Sequence, residues 1–202
     1  MNATRASKID RTTAETTVTV EIALDGSGQA SIDTGIGALD HFLTLFARHG
    51  CFDLTIRARG DLHVDAHHTV EDVAICLGQA VRRALGDWRG IRRMANAAVP
   101  MDEALAHIAL DCSGRGLFVH RDPFPPGAVG QLECDLARHF LETFAREARI
   151  TIHLVTLYGQ NAHHQLEAIF KALGRALDHA TQIDPRIADR LPSTKEYLEV
   201  EG

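Results

Sequence analysis

The chain carries the same short text twice. HFLTLFAR begins at His41 and returns as HFLETFAR at His139, with six of eight positions identical over an offset of ninety-eight residues. Downstream of each copy lies a second shared block, AHHTVE (Ala66 to Glu71) and AHHQLE (Ala162 to Glu167), offset by ninety-six. A duplicated half-module limits the fold to two like units that share a core. Packing alone accounts for the recurrence of apolar positions. It gives no reason for a histidine, a His-His pair and a glutamate to recur with them.

Local patterning is consistent with a repeat. Thr16 to Leu24 alternates polar and apolar residues and predicts a strand. The turn sequence DGSG (Asp25 to Gly28) predicts that Gln29 to Thr34 is its hairpin partner. Leu39 to Arg48 has helical spacing, Phe52 to Arg59 alternates, and Thr69 to Leu85 carries a long apolar stripe. In the second half, Glu103 to Cys112, Leu117 to Arg121 and Ile150 to Tyr158 predict strands, while Leu132 to Glu147 and Ala162 to Ala180 predict helices. Each half reads β-β-α-β-α, and the whole is an α+β protein: a tandem repeat of two half-modules, each a mixed sheet with two helices. The expected division is 1–97, 98–184 and a tail over 185–202. DPFPPGAVG (Asp122 to Gly130) predicts an irregular loop.

Composition excludes several classes. The net charge of −6 supplies no general basic field for nucleic acid or anionic lipid. No apolar run approaches the length of a membrane span, and no apolar signal core follows Met1. Four widely spaced cysteines without a CxxC pair argue against a disulfide scaffold or a thiolate zinc site. These features predict a cytoplasmic protein.

The repeated polar residues predict metal chemistry. On a helix, His67 and Glu71 (i, i+4) share a face, as His68 and Glu71 (i, i+3) can, whereas the adjacent histidines diverge. The same holds for His163, His164 and Glu167. With His41 and His139 there are six imidazoles and two carboxylates, enough for two sites of three histidines and one glutamate. GIRR (Gly90 to Arg93), SGRG (Ser113 to Gly116) and STK (Ser193 to Lys195) together offer guanidinium, hydroxyl and ammonium groups suited to phosphate. No nucleotide-binding glycine motif and no nucleophile elbow is present. Metal storage and a dinuclear metal hydrolase are the competing readings.

The series RTTAET, TGIGALDHFLTLFARHG, DLHVDAHHTVED, MDEALAHIALDCSGRG, GQNAHHQLEAIFKALGRAL and PSTKEYL resembles the imidazoleglycerol-phosphate dehydratases, in order from about Arg11 to Leu198. The resemblance implies a histidine-biosynthetic hydro-lyase that converts D-erythro-imidazole glycerol phosphate to imidazole acetol phosphate. It implies two Mn2+ ions per active site that stabilise a substrate imidazolate, halves packed through their helices, and a twenty-four-subunit assembly with active sites at subunit contacts. By motif, one ion would take His67, His139, His163 and Glu167, and the other His41, His68, Glu71 and His164. Glu15 falls on the acid-base carboxylate, and Arg93, Arg115, Ser193 and Lys195 fall on phosphate-binding positions. Asp102 and Lys171 are further contacts. Leu45 stands where many members have glutamine, Met94-Ala95 replaces Phe-Gly, and Glu196 replaces glycine.

Overall fold

The computed structural model describes residues 5–121, 124–187 and 190–198. The first half comprises β1 (Ala6–Thr12), β2 (Thr16–Ala23), β3 (Ala30–Asp33), α1 (Gly37–His49), β4 (Asp53–Gly60) and α2 (His67–Leu85). The second comprises β5 (Met94–Met101), β6 (Ala104–Asp111), β7 (Leu117–His120), a short pair β8 (Ala128–Val129) and β9 (Leu132–Glu133), α3 (Cys134–Ala148), β10 (Thr151–Tyr158) and α4 (Ala162–Thr181). The two four-stranded sheets have orders β1-β2-β4-β3 and β5-β6-β10-β7. In each, three neighbouring strands run antiparallel and the last pairs parallel. The tandem α+β architecture is therefore present in both halves.

Each four-stranded sheet has one more strand than the β-β-α-β-α pattern predicts, and the second half adds the short β8–β9 pair. β1 buries one side chain, Ile9, so its sequence lacks an apolar alternation. β5 carries alanines and Pro100, and a proline is tolerated there because β5 is an edge strand. The division at residues 97 and 98 falls within β5. The expected hairpin after DGSG is also corrected. Both flanks of β2 are taken, by β1 and β4, and β3 pairs parallel with β4. Asp53 directs that turn, its Oδ1 accepting the backbone N–H groups of Ser27 (2.8 Å) and Gln29 (3.0 Å). In the predicted loop Asp122 to Gly130, Asp122 and Pro123 lie outside the described residues, and Ala128–Val129 forms β8.

The helices lie between the sheets and pair across the halves. α2 packs on β1, β2 and β4 and against α3, while α4 packs on β5 and β6 and against α1. Two glycines ninety-six residues apart permit these approaches. A Cβ on Gly78 would sit 2.9 Å from the Phe144 carbonyl oxygen of α3, and one on Gly174 would sit 2.4 Å from that of Phe46 in α1. Phe42 stacks on Phe170 at 5.4 Å, with Phe140 at 5.7 Å on the same ring, so one core serves both halves. Each such buried aromatic contributes about 2–3 kcal/mol of transfer free energy.

Candidate metal centre and active site

Both histidine pairs are fixed by the same device. Two residues before His67, Asp65 Oδ1 accepts the His67 backbone N–H at 2.7 Å. At the equivalent place, Asn161 Oδ1 accepts the N–H groups of His163 (2.8 Å) and His164 (3.4 Å). Asn161 is the N-cap of α4, whereas Asp65 stands one residue before the α2 N-cap, Ala66; in both helices the imidazoles lie in the first turn. An acid or amide two residues before each His-His pair is the sequence signal for them.

The cross-half pairing of helices then gathers two triads. His41 of α1 meets His163 and Glu167 of α4, and His139 of α3 meets His67 and Glu71 of α2. In the first, Glu167 Oε1 lies 2.9 Å from Nε2 of His41 and 3.0 Å from Nε2 of His163. In the second, Glu71 Oε1 lies 3.4 Å from Nε2 of His139. The imidazoles stack alike, at 5.3 Å and 28° for His41 with His163, and 5.0 Å and 26° for His67 with His139. Each triad thus draws on both repeats. Within one copy, His163 and Glu167 stand beside His41, and Glu71 stands beside His67 and His139. The reason is tertiary, since α1 pairs with α4 and α2 with α3.

His68 and His164 point away from their neighbours, at interplanar angles of 88° and 81°. Carboxylates hold both. Asp61 Oδ2 lies 3.0 Å from Nδ1 of His68, and Glu103 Oε2 lies 2.7 Å from Nδ1 of His164. The Asp61 contact raises the His68 pKa and the Glu103 contact raises that of His164. Glu103 is itself held at about 2, first by the Asn161 backbone N–H and then by His164. Asp61 and Glu103 were not among the residues selected from sequence. Glu15 sits in the β1–β2 turn 3.8 Å from Nδ1 of His68, and Asp102 sits in the β5–β6 turn 3.8 Å from Nε2 of His164. The two turns are repeat equivalents.

Lys171 lies one turn beyond Glu167, its Nζ 2.5 Å from Oε2 and 3.2 Å from the Met101 sulfur. Burial pushes the Glu167 carboxyl up, but Lys171, His41 and His163 more than offset this and hold it at about 2. Beside the other triad is a cavity of about 520 Å3, lined by His67 and His139 with Asp65, Glu133, Asp135 and Arg138.

The phosphate candidates gather elsewhere. Arg93, at φ 74°, forms a fork on Asp111 (2.7 and 3.1 Å) and donates to the Pro192 carbonyl at 2.7 Å, drawing in the segment with Ser193 and Lys195. Ser193 Oγ accepts the Lys195 N–H at 3.2 Å. Arg115 is exposed on a turn whose carbonyl accepts from Thr151. The Arg93 N–H donates to Ala180 at the C-terminal end of α4, whereas His163 and Glu167 occupy its first turns. Glu196 has φ 53°, where a glycine is unstrained. Leu45 is partly buried against the core.

The family model for imidazoleglycerol-phosphate dehydratase matches residues 34–177. The chain belongs to this family. The dehydratase of Chloroflexus aggregans is 56% identical over 198 residues, covering 98% of this chain and 97% of that relative. That of Methylorubrum extorquens is also 56% identical, covering 96% and 100%. A crystal structure of the dehydratase from Pyrococcus furiosus, in complex with (S)-C348, superposes with a TM-score of 0.81 at 38% identity over 94% of this chain and all of that one. The Staphylococcus aureus structure gives 0.80 at 34% identity, covering 89% and 99%. As a member of the imidazoleglycerol-phosphate dehydratases, the chain is a hydro-lyase of histidine biosynthesis. Among the described residues no helix is long and apolar enough to cross a membrane.

The donor sets suit the divalent metals that such triads imply. Imidazole nitrogen with carboxylate oxygen is ordinary ligation for first-row dications. All three donor atoms in each triad lie within 4.8 Å of one another. Nε2 of His139 is buried and makes no hydrogen bond, a polar atom that a metal would satisfy.

Proposed function

We propose that this chain dehydrates D-erythro-imidazole glycerol phosphate to imidazole acetol phosphate, with two manganese ions held by the residues of the two triads (His41, His163, Glu167 and His67, Glu71, His139) together with His68 and His164. The pair of equivalent triads carries this reading. Bound there, the ions supply positive charge beside the substrate's ring nitrogens, which favours the deprotonated ring. Everything else falls to side chains of this chain.

The active site is composite in this reading, for a reason of length. From His163 to Ala180, α4 rises about 25 Å at 1.5 Å per residue, and the Arg93–Ser193–Lys195 group lies at its far end. A three-carbon phosphate chain on an imidazole spans no more than about 10 Å. One molecule therefore cannot touch the triad and the cations of the same copy, and a neighbouring copy supplies one of them. His68 and His164 fit the same scheme. Each has Nδ1 engaged by a carboxylate, which orients the opposite nitrogen as a ligand, and each would complete a metal centre shared with a neighbour. The twenty-four-subunit assembly belongs to this reading.

Glu15 and Asp102 would travel with His68 and His164 to the substrate. Glu15 is the leading candidate to move the proton, because its carboxylate is exposed and its ion pair with His68, at 3.8 Å, is too long to fix it. The substrate loses a hydroxyl and a C–H proton as water, and the resulting enol relaxes to the ketone with its phosphate retained. Arg93, Arg115, Ser193 and Lys195 grip the phosphate and contribute positioning. Incubation with imidazole glycerol phosphate should yield a ketone that absorbs in alkali and no free phosphate. Release of phosphate would favour the hydrolase, and an unchanged substrate would favour simple metal binding.

A further inference from the structure

The turn that carries Glu15 and its counterpart in the second repeat are held in different ways. Strand register sets the equivalence. Arg11 pairs with Val18 and Thr12 with Thr17 in β1–β2, as Val99 pairs with Ala106 and Pro100 with Leu105 in β5–β6. Thr13-Ala14-Glu15-Thr16 therefore matches Met101-Asp102-Glu103-Ala104, and Glu15 matches Glu103. Glu103 anchors its own turn: Oε1 accepts the N–H groups of Asn161 (2.8 Å) and Gln160 (3.2 Å), and Oε2 meets His164. In the first repeat Asp61 takes that place on His68. Among the described residues the Glu15 carboxylate accepts no hydrogen bond, and its nearest partner is His68 at 3.8 Å.

A chain of hydroxyls holds the Glu15 turn instead. Asp72 of α2 is 7% exposed and Thr16 is 3% exposed. Arg11 pairs with Asp72, its Nε 2.8 Å from Oδ1, and a carboxylate so paired only accepts. The one hydroxyl proton of Thr16 therefore goes to Asp72 Oδ2. Thr16 Oγ1 must then accept from Thr13, 3.3 Å away, which leaves Thr13 Oγ1 to accept the N–H groups of Glu15 (3.1 Å) and Thr16 (3.0 Å). The chain has one consistent direction, and it ends on the backbone of Glu15.

Packing does not call for this chain. In the second repeat the places of Arg11, Thr13, Thr16 and Asp72 hold Val99, Met101, Ala104 and Ala168, in the same strand register and under the same helix. Val99, Ala104 and Ala168 are buried. A buried carboxylate costs stability unless it is paired and hydrogen-bonded. The more costly solution stands in the one repeat whose turn acid is left free.

We propose that Asp72 is a positioning residue for the reaction, fixing the Glu15 turn from α2 through Thr16 and Thr13 so that the Glu15 carboxylate is held in place without being tied down. It rests on the reading of Glu15 as the proton carrier. Asp61 completes the division of labour: by holding His68 it releases Glu15 from the task that Glu103 performs in the other half.

Steady-state kinetics of the manganese-loaded full chain with imidazole glycerol phosphate, beside metal analysis, tests this. Thr16→Val keeps the side-chain shape and removes the hydroxyl; kcat should fall about tenfold, with KM and manganese content within about twofold of wild type. Thr16→Ser should restore kcat to within about twofold. The combined change Arg11→Val, Thr16→Ala and Asp72→Ala gives the first repeat the apolar set of the second; it should fold, keep its manganese and lose turnover at least as far. In a Glu15→Gln background, Thr16→Val should cost nothing further, because both act through one carboxylate. Unchanged kcat in Thr16→Val and in the combined variant would overturn the proposal. So would loss of manganese in step with turnover, or a full further loss in the Glu15→Gln background. Full turnover by Glu15→Gln alone would instead defeat the proton-transfer reading beneath it.

Discussion

His41 and Glu167 stand 126 residues apart in sequence, and Nε2 of the one lies 2.9 Å from Oε1 of the other. That contact exists because α1 and α4 lie against each other, and they do so at Gly174, where a side chain would run into the Phe46 carbonyl. The site is therefore sensitive to helix spacing two turns away from it. Small residues at that crossing are part of the metal centre's support.

Gly174→Ala should push α1 from α4 and destabilise the protein by about 1–3 kcal/mol, the usual cost of overpacking. Gly78→Ala should do the same at the α2–α3 crossing, with a smaller penalty because its contacts are 2.7–2.9 Å rather than 2.4 Å. Thermal unfolding checks the order. In the first variant, manganese content should also fall.

Because triad and phosphate cations of one copy lie too far apart for one substrate, inactive variants should rescue each other. Glu167→Gln and Lys195→Ala, each of low activity alone, should regain activity when co-assembled. Random mixing gives about a quarter of sites with both parts intact. No gain over the separate variants would place the whole site within one copy.

The duplicated half, the helical placement of the histidine doublets and the participation of both repeats in both centres were legible in sequence, because they depend on spacing within one helix. His67 with Glu71 and His163 with Glu167 follow from i, i+4 geometry alone. Which single histidine lies beside which pair within one copy was not legible. His41 and His139 are repeat equivalents, and only the pairing of α1 with α4 and α2 with α3 assigns them. The edge strands β1 and β5 escaped for a different reason: one apolar contact, or a run of alanines with a proline, leaves little alternation to read. Asp61 and Glu103 escaped because their meaning lies in contacts with His68 and His164 that no periodicity encodes.

Glu15→Gln should leave manganese content unchanged while turnover falls by about 10² or more, since the amide keeps the shape and loses the base. Metal analysis beside kcat separates this from a structural role. Loss of both ions in the variant would assign Glu15 to the metal centre rather than to proton transfer.

Burial pushes the Cys76 and Cys112 thiols up to about 12 from an ordinary value of 9.0. In the unfolded chain they ionise from about pH 9, so their share of stability is complete below that pH and is lost as pH rises toward 12. The slope is roughly 1.4 kcal/mol per pH unit for each thiol. Replacing both with alanine should flatten the decline in stability between pH 9 and 11. Native alkylation at pH 8.5 should modify the exposed Cys51 and spare these two until denaturant is added.

Dependence of turnover on the ions reaches the central proposal most directly. The protein, stripped by a strong chelator until no metal is detected, is assayed with imidazole glycerol phosphate before and after manganese(II) is returned. Ketone formation should vanish on stripping and return as each chain takes up two ions. Undiminished turnover by the metal-free protein would contradict the assignment of the two triads.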